Sequence, residues 1–315
     1  MKLKLLLLLL LLALYTINGQ PKKFMSVTFD DLPLQQAGKF SSEQIYEINS
    51  RLISHIAKYE IPAVGFVNEG KIFMVGNRDE LKIDVLKMWL DSGLELGNHT
   101  YSHADVNRVP FNEYRREILK GEIITRPLAE KRGLKYEYFR HPYLRAGATQ
   151  ELKDSLNNFL SAQNYKIAPV TIDNSEWIFN AAYTKAFFES DSILMSKIGK
   201  EYVDYMIKKI GYYEDQSSKF FGREIKHILL VHANLLNSDY FDELASAILD
   251  VGYQFTTLDE TLTDPVYNSK DGYIGKYGPS WIHRWALAMG FEGKDFSGEP
   301  RTPKYIKEYA GIEYE

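Results

Sequence analysis

The sequence predicts an α/β protein: a distorted (β/α) barrel of about seven parallel strands, followed by a C-terminal extension. Short β-rich runs alternate with longer runs of helical period, which argues for parallel strands joined by right-handed crossovers. About seven such units over roughly 240 residues suit a barrel better than a doubly wound open sheet, the alternative architecture. The 315 residues are 45% hydrophobic and 25% charged, an ordinary globular composition with material for one large core.

FMSVTF (Phe24 to Phe29) is the first strand, and Ser41 to Tyr59 carries apolar residues at helical spacing. AVGFVN (Ala63 to Asn68) is the second strand, with a helix around Asp79 to Asp91. LELGNH follows as the third, leading to a helix from about Asn112 to Arg132. YEYFRHPY carries the fourth, with a helix near Thr149 to Leu160 behind it. KIAPVTID (Lys166 to Asp173) is the fifth, followed by a long helical stretch through about Ile210. HILLVHA (His227 to Ala233) reads as a fully buried strand, Ser238 to Leu249 as a helix, and YQFTTL closes the series.

From about Thr263 the chain becomes rich in Gly, Pro and aromatics, with one short helix near Trp281 to Met289. That stretch is too short to bury its own core, so residues 263–315 are expected to pack on a domain spanning 20–262. Tyr273, Tyr277, Trp281 and Trp285 either cover a barrel edge, the favoured reading, or stack on a ligand. Trp281 and Trp285 are kept as cleft-rim candidates.

The first 19 residues read as an export signal. Lys2 and Lys4 precede a leucine run too short to span a bilayer comfortably, and Gly19 offers a small residue near a cleavage point. The mature chain is therefore expected in the periplasm or secreted, without stable membrane insertion. The net charge of −4 and the lack of a basic block argue against a nucleic-acid partner. With no cysteine in the chain, disulfides, thiolate metal sites and a cysteine nucleophile are excluded.

Candidate chemistry falls at the ends of the strands: Asp30 and Asp31, His99 and His103, Arg140 and Tyr143, Asp173 and Trp177, and His232. In a parallel barrel those ends open on one face, where active sites gather. His99 and His103, four apart, have metal-ligand spacing, and a carboxylate from another strand would make a His2Asp set with open positions for water or substrate. Two adjacent aspartates repel unless a cation neutralises them. Strand alternation turns neighbours to opposite faces, so Asp30 and Asp31 should have different jobs, one on the metal and one as a base. His55 reads as exposed or capping, and His227 as turned to the face opposite His232. His141 has no assigned role. Asn98 begins a glycosylation triplet that the need for His99 discounts.

TFDD, HTYSH, RHPY, DNSEW and LLVH stand in the order and approximate spacing of the five motifs of the polysaccharide deacetylases. These are the NodB-type domains of carbohydrate esterase family four, and the resemblance runs from about Lys23 to Leu262. It implies a NodB-like barrel that removes acetyl groups from a glycan with a divalent ion, Zn2+ before Co2+ or Ni2+. Asp31, His99 and His103 would hold the metal. Asp30 would be the general base, positioned by Arg140. The Tyr143 backbone N–H would meet the oxyanion, and His232 would be the general acid. Asp173 and Trp177 resemble the pair that orients this histidine, but Glu176 stands where an aspartate is common, so Asp173 and Glu176 both remain candidates. Two other readings are a carbohydrate-binding protein that has lost catalysis and a metal hydrolase of a non-sugar amide. A broken metal triad or a missing base would mark the former, and here every key position is filled.

Overall fold

The computed structural model describes residues 22–74 and 76–315, so the proposed leader lies outside the described residues. Among those described, no helix is long and apolar enough to cross a membrane. The strands of the main sheet are β1 (Lys23–Leu32), β2 (Val64–Val67), β3 (Glu95–Asn98), β4 (Tyr138–Phe139), β5 (Lys166–Ile167), β6 (His227–His232) and β7 (Tyr253–Phe255). They lie in the order β5-β4-β3-β2-β1-β6, with β7 also paired to β1, and every pairing is parallel. A parallel bridge from Ile172 to Leu229 ties the run after β5 to β6 and brings the two ends of the sheet together. The sheet is thus a distorted barrel of seven parallel strands.

Alternation along β1 divides its side chains between two cores. Phe29 points outward and meets Trp89 and Phe241 edge to face at 5.5 and 5.0 Å. They belong to α2 (Glu80–Asp91) and α8 (Leu235–Asp250), which with α1 (Ser42–Lys58) cover that face. α1 begins at a reciprocal Ser41–Gln44 capping box and buries Ile45, Ile48, Leu52 and Ile56, the i, i+3, i+4 stripe read in the sequence. The inward residues of β1 are Ser26, Thr28 and Asp30. Inside the barrel, Val64, Phe66, Tyr138, Ala168 and Ile228 form a second core with Leu258 of α9 (Leu258–Leu262).

Several sequence expectations change in detail. The helix expected from Asn112 to Arg132 is two, α3 (Phe111–Lys120) and α4 (Thr125–Glu130), separated after Gly121. The following crossover is α5 (Gln150–Ala162). The long stretch after β5 is likewise α6 (Glu176–Phe188) and α7 (Ser192–Phe221). The break falls where the Asp191 carboxylate caps the N-terminus of α7. Helical period persists on both sides of each break, so periodicity alone could not locate them. The extension contains α10 (Trp281–Ala288) and α11 (Lys304–Ala310) and no strand of the main sheet. It is fastened to the barrel by Trp281 N–H to the Val170 carbonyl at 2.8 Å and Ser280 Oγ to the Thr171 carbonyl at 2.8 Å.

Candidate active site

Asp30 and Asp31 do not follow simple strand alternation. Phe29 is opposite Gly65 and Leu32 is opposite Val67, so β1 spends three steps where β2 spends two. That extra residue is a β-bulge, and Asp31 sits in it with φ 74°. The expectation of opposite faces is corrected here: the bulge re-aims Asp31, and both carboxylates line one pocket of about 640 Å³. Different surroundings still separate them. Asp30 is buried, with Oδ2 at 3.9 Å from Arg140 Nη1 and Oδ1 without a hydrogen-bond partner. Burial pushes its pKa up to about 6 against the opposing charge of Arg140. Asp31 accepts a 2.8 Å hydrogen bond from Lys71 Nζ. Burial favours its neutral form too, but Lys71 and the neighbouring histidines outweigh that and hold its carboxyl well below the usual range.

His99 and His103 arrive from the loop after β3, with the His103 backbone at φ 59°. Their rings meet edge to face with centroids 4.8 Å apart. His99 Nδ1 lies 2.8 Å from the Arg140 carbonyl, which can only accept, so Nδ1 carries the proton and Nε2 is left as a ligand atom. Burial pushes both imidazoles down, toward the neutral form that binds metals. One donor atom each from Asp31, His99 and His103 lie within 4.8 Å of one another. Two neutral imidazoles and one carboxylate, beside a buried Asp30 oxygen without a partner, fit a divalent ion such as zinc.

His232 closes the pocket from the other side, at the position on β6 directly opposite Asp30 on β1. The partner left open by the fourth motif is Glu176: its Oε2 lies 2.7 Å from His232 Nδ1. Glu176 is fully buried, and its other oxygen accepts from Asn234 and Asn237 Nδ2, the latter at 2.9 Å. Burial lowers the imidazole, but Glu176 outweighs it and raises its pKa to about 9. Asp173 makes no hydrogen bond to His232. It turns back to the Asn174 N–H at 2.9 Å and lines the pocket wall, while Trp177, 37% exposed, stands at the pocket's rim. The reason is local: Glu176 begins α6 and projects inward, whereas Asp173 precedes the helix.

Arg140 is buried beneath the site, held by Nη2 to Thr28 Oγ1 at 2.8 Å and by the face of Phe66 at 4.8 Å. Tyr143 follows it in a turn where both Tyr143 and Leu144 have positive φ, 56° and 54°. Such residues cost roughly 1–3 kcal/mol each unless their surroundings hold them. His141 supplies one restraint, its carbonyl accepting from Leu144 N–H at 3.0 Å, and Arg284 Nη2 supplies another by donating to the Leu144 carbonyl. The Tyr143 ring lies 4.4 Å from that of His103.

The histidines outside the site have structural surroundings. His227 is buried beside Glu224, 2.9 Å away, His141 is buried and stacks on Trp281, and His55 is partly covered near Asp242. Trp281 and Trp285 are buried, so the cleft-rim role kept for them is corrected: they cover the barrel edge. Tyr277 reaches the pocket instead. Lys71 was missed, because a lysine two residues past a glutamate in VNEGK carries no sign in one dimension that it will touch Asp31.

Residues 18–159 match the sequence profile described as polysaccharide deacetylase. The chain is 26% identical over 164 residues to a peptidoglycan-N-acetylglucosamine deacetylase of Bacillus cereus, covering 52% of this chain and 50% of that one. It is also 26% identical over 162 residues to a chitin deacetylase of Arthroderma benhamiae, covering 51% and 36%. The chain thus spans half or less of these curated relatives. A chitin deacetylase structure from the fungal pathogen Colletotrichum lindemuthianum superposes with a TM-score of 0.50 at 19% identity, covering 78% of this chain and 89% of that one, and shares the fold. Residues 18–159 thus match the polysaccharide deacetylase family, and the barrel and the order of its motifs agree with that match.

Proposed function

We propose that this protein is an exported, metal-dependent deacetylase that hydrolyses acetyl groups from a polysaccharide or oligosaccharide. The observation that carries the reading is a shared pocket. Donor atoms of Asp31, His99 and His103 converge within 4.8 Å, with Asp30 beside them and, on the neighbouring strand, His232 paired with Glu176 of α6.

A divalent ion held by Asp31, His99 and His103 would supply Lewis acidity, making water acidic and the acetyl carbonyl electrophilic. Asp30 takes a proton from the water as its oxygen adds to the carbonyl carbon, and Arg140 holds Asp30 in place for that transfer. The Tyr143 backbone N–H meets the negative charge that develops on the carbonyl oxygen. His232, kept as imidazolium by Glu176, gives its Nε2 proton to the departing nitrogen or oxygen as the bond to the acetyl carbon breaks. Acetyl–sugar and water become acetate and a free amine or hydroxyl. Asp173 and Trp177 shape the pocket wall and rim.

Acetate release from chitooligosaccharides, peptidoglycan and acetylxylan tests this reading. The protein is assayed metal-stripped and again after zinc is restored, with Asp30→Asn as the control. Zinc-dependent release that disappears in Asp30→Asn supports it. Silence across the panel with zinc bound at the site transfers the reading to a non-sugar acyl substrate. Failure of the protein to bind zinc overturns the mechanism in favour of a carbohydrate-binding role.

A further inference from the structure

We infer that the C-terminal extension adds a sugar subsite to the catalytic pocket, in which a pyranose of the glycan chain stacks on the ring of Tyr277. The inference rests on the glycan reading above and extends it to chain length. Most aromatics of the extension are consumed by packing. The Trp281 ring has the Arg284 guanidinium 3.9 Å from its centroid and stacks with His141 at 6.2 Å. Trp285 packs edge on against Tyr267 at 5.3 Å. Tyr277 and Tyr314 are exposed, at 73% and 83%, and of the two Tyr277 lines the same pocket as Asp30, Asp31, His99, His103 and His232. A large aromatic left outside the core at the mouth of a polar pocket is an informative exposure.

Its backbone is held in place. Tyr277 N–H donates to Tyr273 Oη at 3.0 Å. The next residue, Gly278, lies so close to the Tyr143 turn that a Cβ there would come within 1.9 Å of the Tyr143 carbonyl oxygen. Only glycine permits that approach, so Gly278 joins the extension to the turn proposed to meet the oxyanion. Pro279 and Ser280 then lead into α10 and its bonds to the barrel.

Tyr277, Tyr143 and Trp177 thus give the pocket three exposed aromatic side chains, 73%, 53% and 37% accessible. The apolar C–H face of a pyranose suits such rings, while Gly278 and Pro279 add no charge to that wall. The volume of about 640 Å³ falls within the range for bound ligands, roughly 300–1,000 Å³, and exceeds the needs of one acetylated sugar ring. A neighbouring unit of the chain is therefore the ligand for the Tyr277 wall.

The test is calorimetric titration of zinc-loaded Asp30→Asn, which prevents turnover, with chito- and acetylated xylo-oligosaccharides of one to six units. Affinity should rise as the chain lengthens from two to four units. Adding Tyr277→Ala should cut the four-unit to two-unit affinity ratio about fivefold, and Tyr277→Phe should restore it, because the ring and not the hydroxyl makes the contact. A length ratio unchanged by Tyr277→Ala in a variant that melts like its parent overturns the subsite while leaving the deacetylase reading standing. Absence of binding at every length in both series overturns the glycan reading and the subsite with it.

Discussion

Replacing Glu176 by Gln should move the basic limb of the pH–rate profile downward by about two units or more. His232 has its pKa raised to about 9, although burial acts in the opposite direction. Glu176 is the strongest influence raising it, through a 2.7 Å hydrogen bond to Nδ1. Glutamine keeps the volume, and its carbonyl can still accept from Asn234 and Asn237. It provides no negative charge, so burial should take the imidazole to or below its ordinary value of about 6.5. At pH 8 a group with a pKa of 9 is about nine-tenths protonated, and one with a pKa of 6.5 is about 3% protonated, so kcat should fall roughly 30-fold. Near pH 5.5 the loss should be small. Stability follows the same sign: the folded-state pKa is raised, so the pair's contribution is complete below about pH 6.5 and fades as pH rises through about 9. The assay is kcat against pH from 5 to 10 for wild type, Glu176→Gln and Asp173→Asn, with zinc held constant. Coincident basic limbs for wild type and Glu176→Gln, or a shift produced by Asp173→Asn instead, would refute the argument.

Three other outcomes follow from the same geometry. His103→Ala should weaken zinc binding at least about a hundredfold in a chelator competition and abolish any rise in Tm on adding zinc, because two remaining donors make a poor site. Lys71→Met should tighten zinc binding by about tenfold or more. Its ammonium lies 2.8 Å from Asp31 Oδ1, on the carboxylate expected to hold the ion, and like charges at such range repel by several kcal/mol even at an effective dielectric near 20; weaker binding would instead mark Lys71 as the clamp that holds Asp31 in its bulge. Trp285→Ala should cost about 3–5 kcal/mol in urea denaturation, since the indole is buried between the extension and α7; a loss below 1 kcal/mol would show that the extension contributes little to holding the fold together.

The barrel was legible because its signals are local and repeated. Each strand is a short apolar run ended by a polar residue, helices such as α1 and α5 carry a one-sided stripe, and these periods survive in one dimension. The same regularity exposed the site: a parallel barrel collects the ends of its strands on one face, so Asp30, Asp31, His99, Arg140 and His232 could be brought together before any distance was known. Helix breaks near Gly121 and Asp191 were lost because apolar spacing continues across them.

What remained hidden depends on contacts between residues far apart in the chain. One inserted residue in β1, invisible in TFDD, swings Asp31 into the pocket beside Asp30. The choice between Asp173 and Glu176 turns on where α6 starts, and three residues of sequence cannot say which carboxylate will face a histidine 56 positions later. Tyr277 and Trp281 read alike as aromatics of one tail, yet one is exposed at the pocket and the other buried. Composition and periodicity specify which residue types must be buried and which strand ends share a face. The partner of each polar group is set by packing and by a few backbone positions: Asp31 and Tyr143, where the chain leaves its regular path, and Gly278, where it runs against the Tyr143 turn.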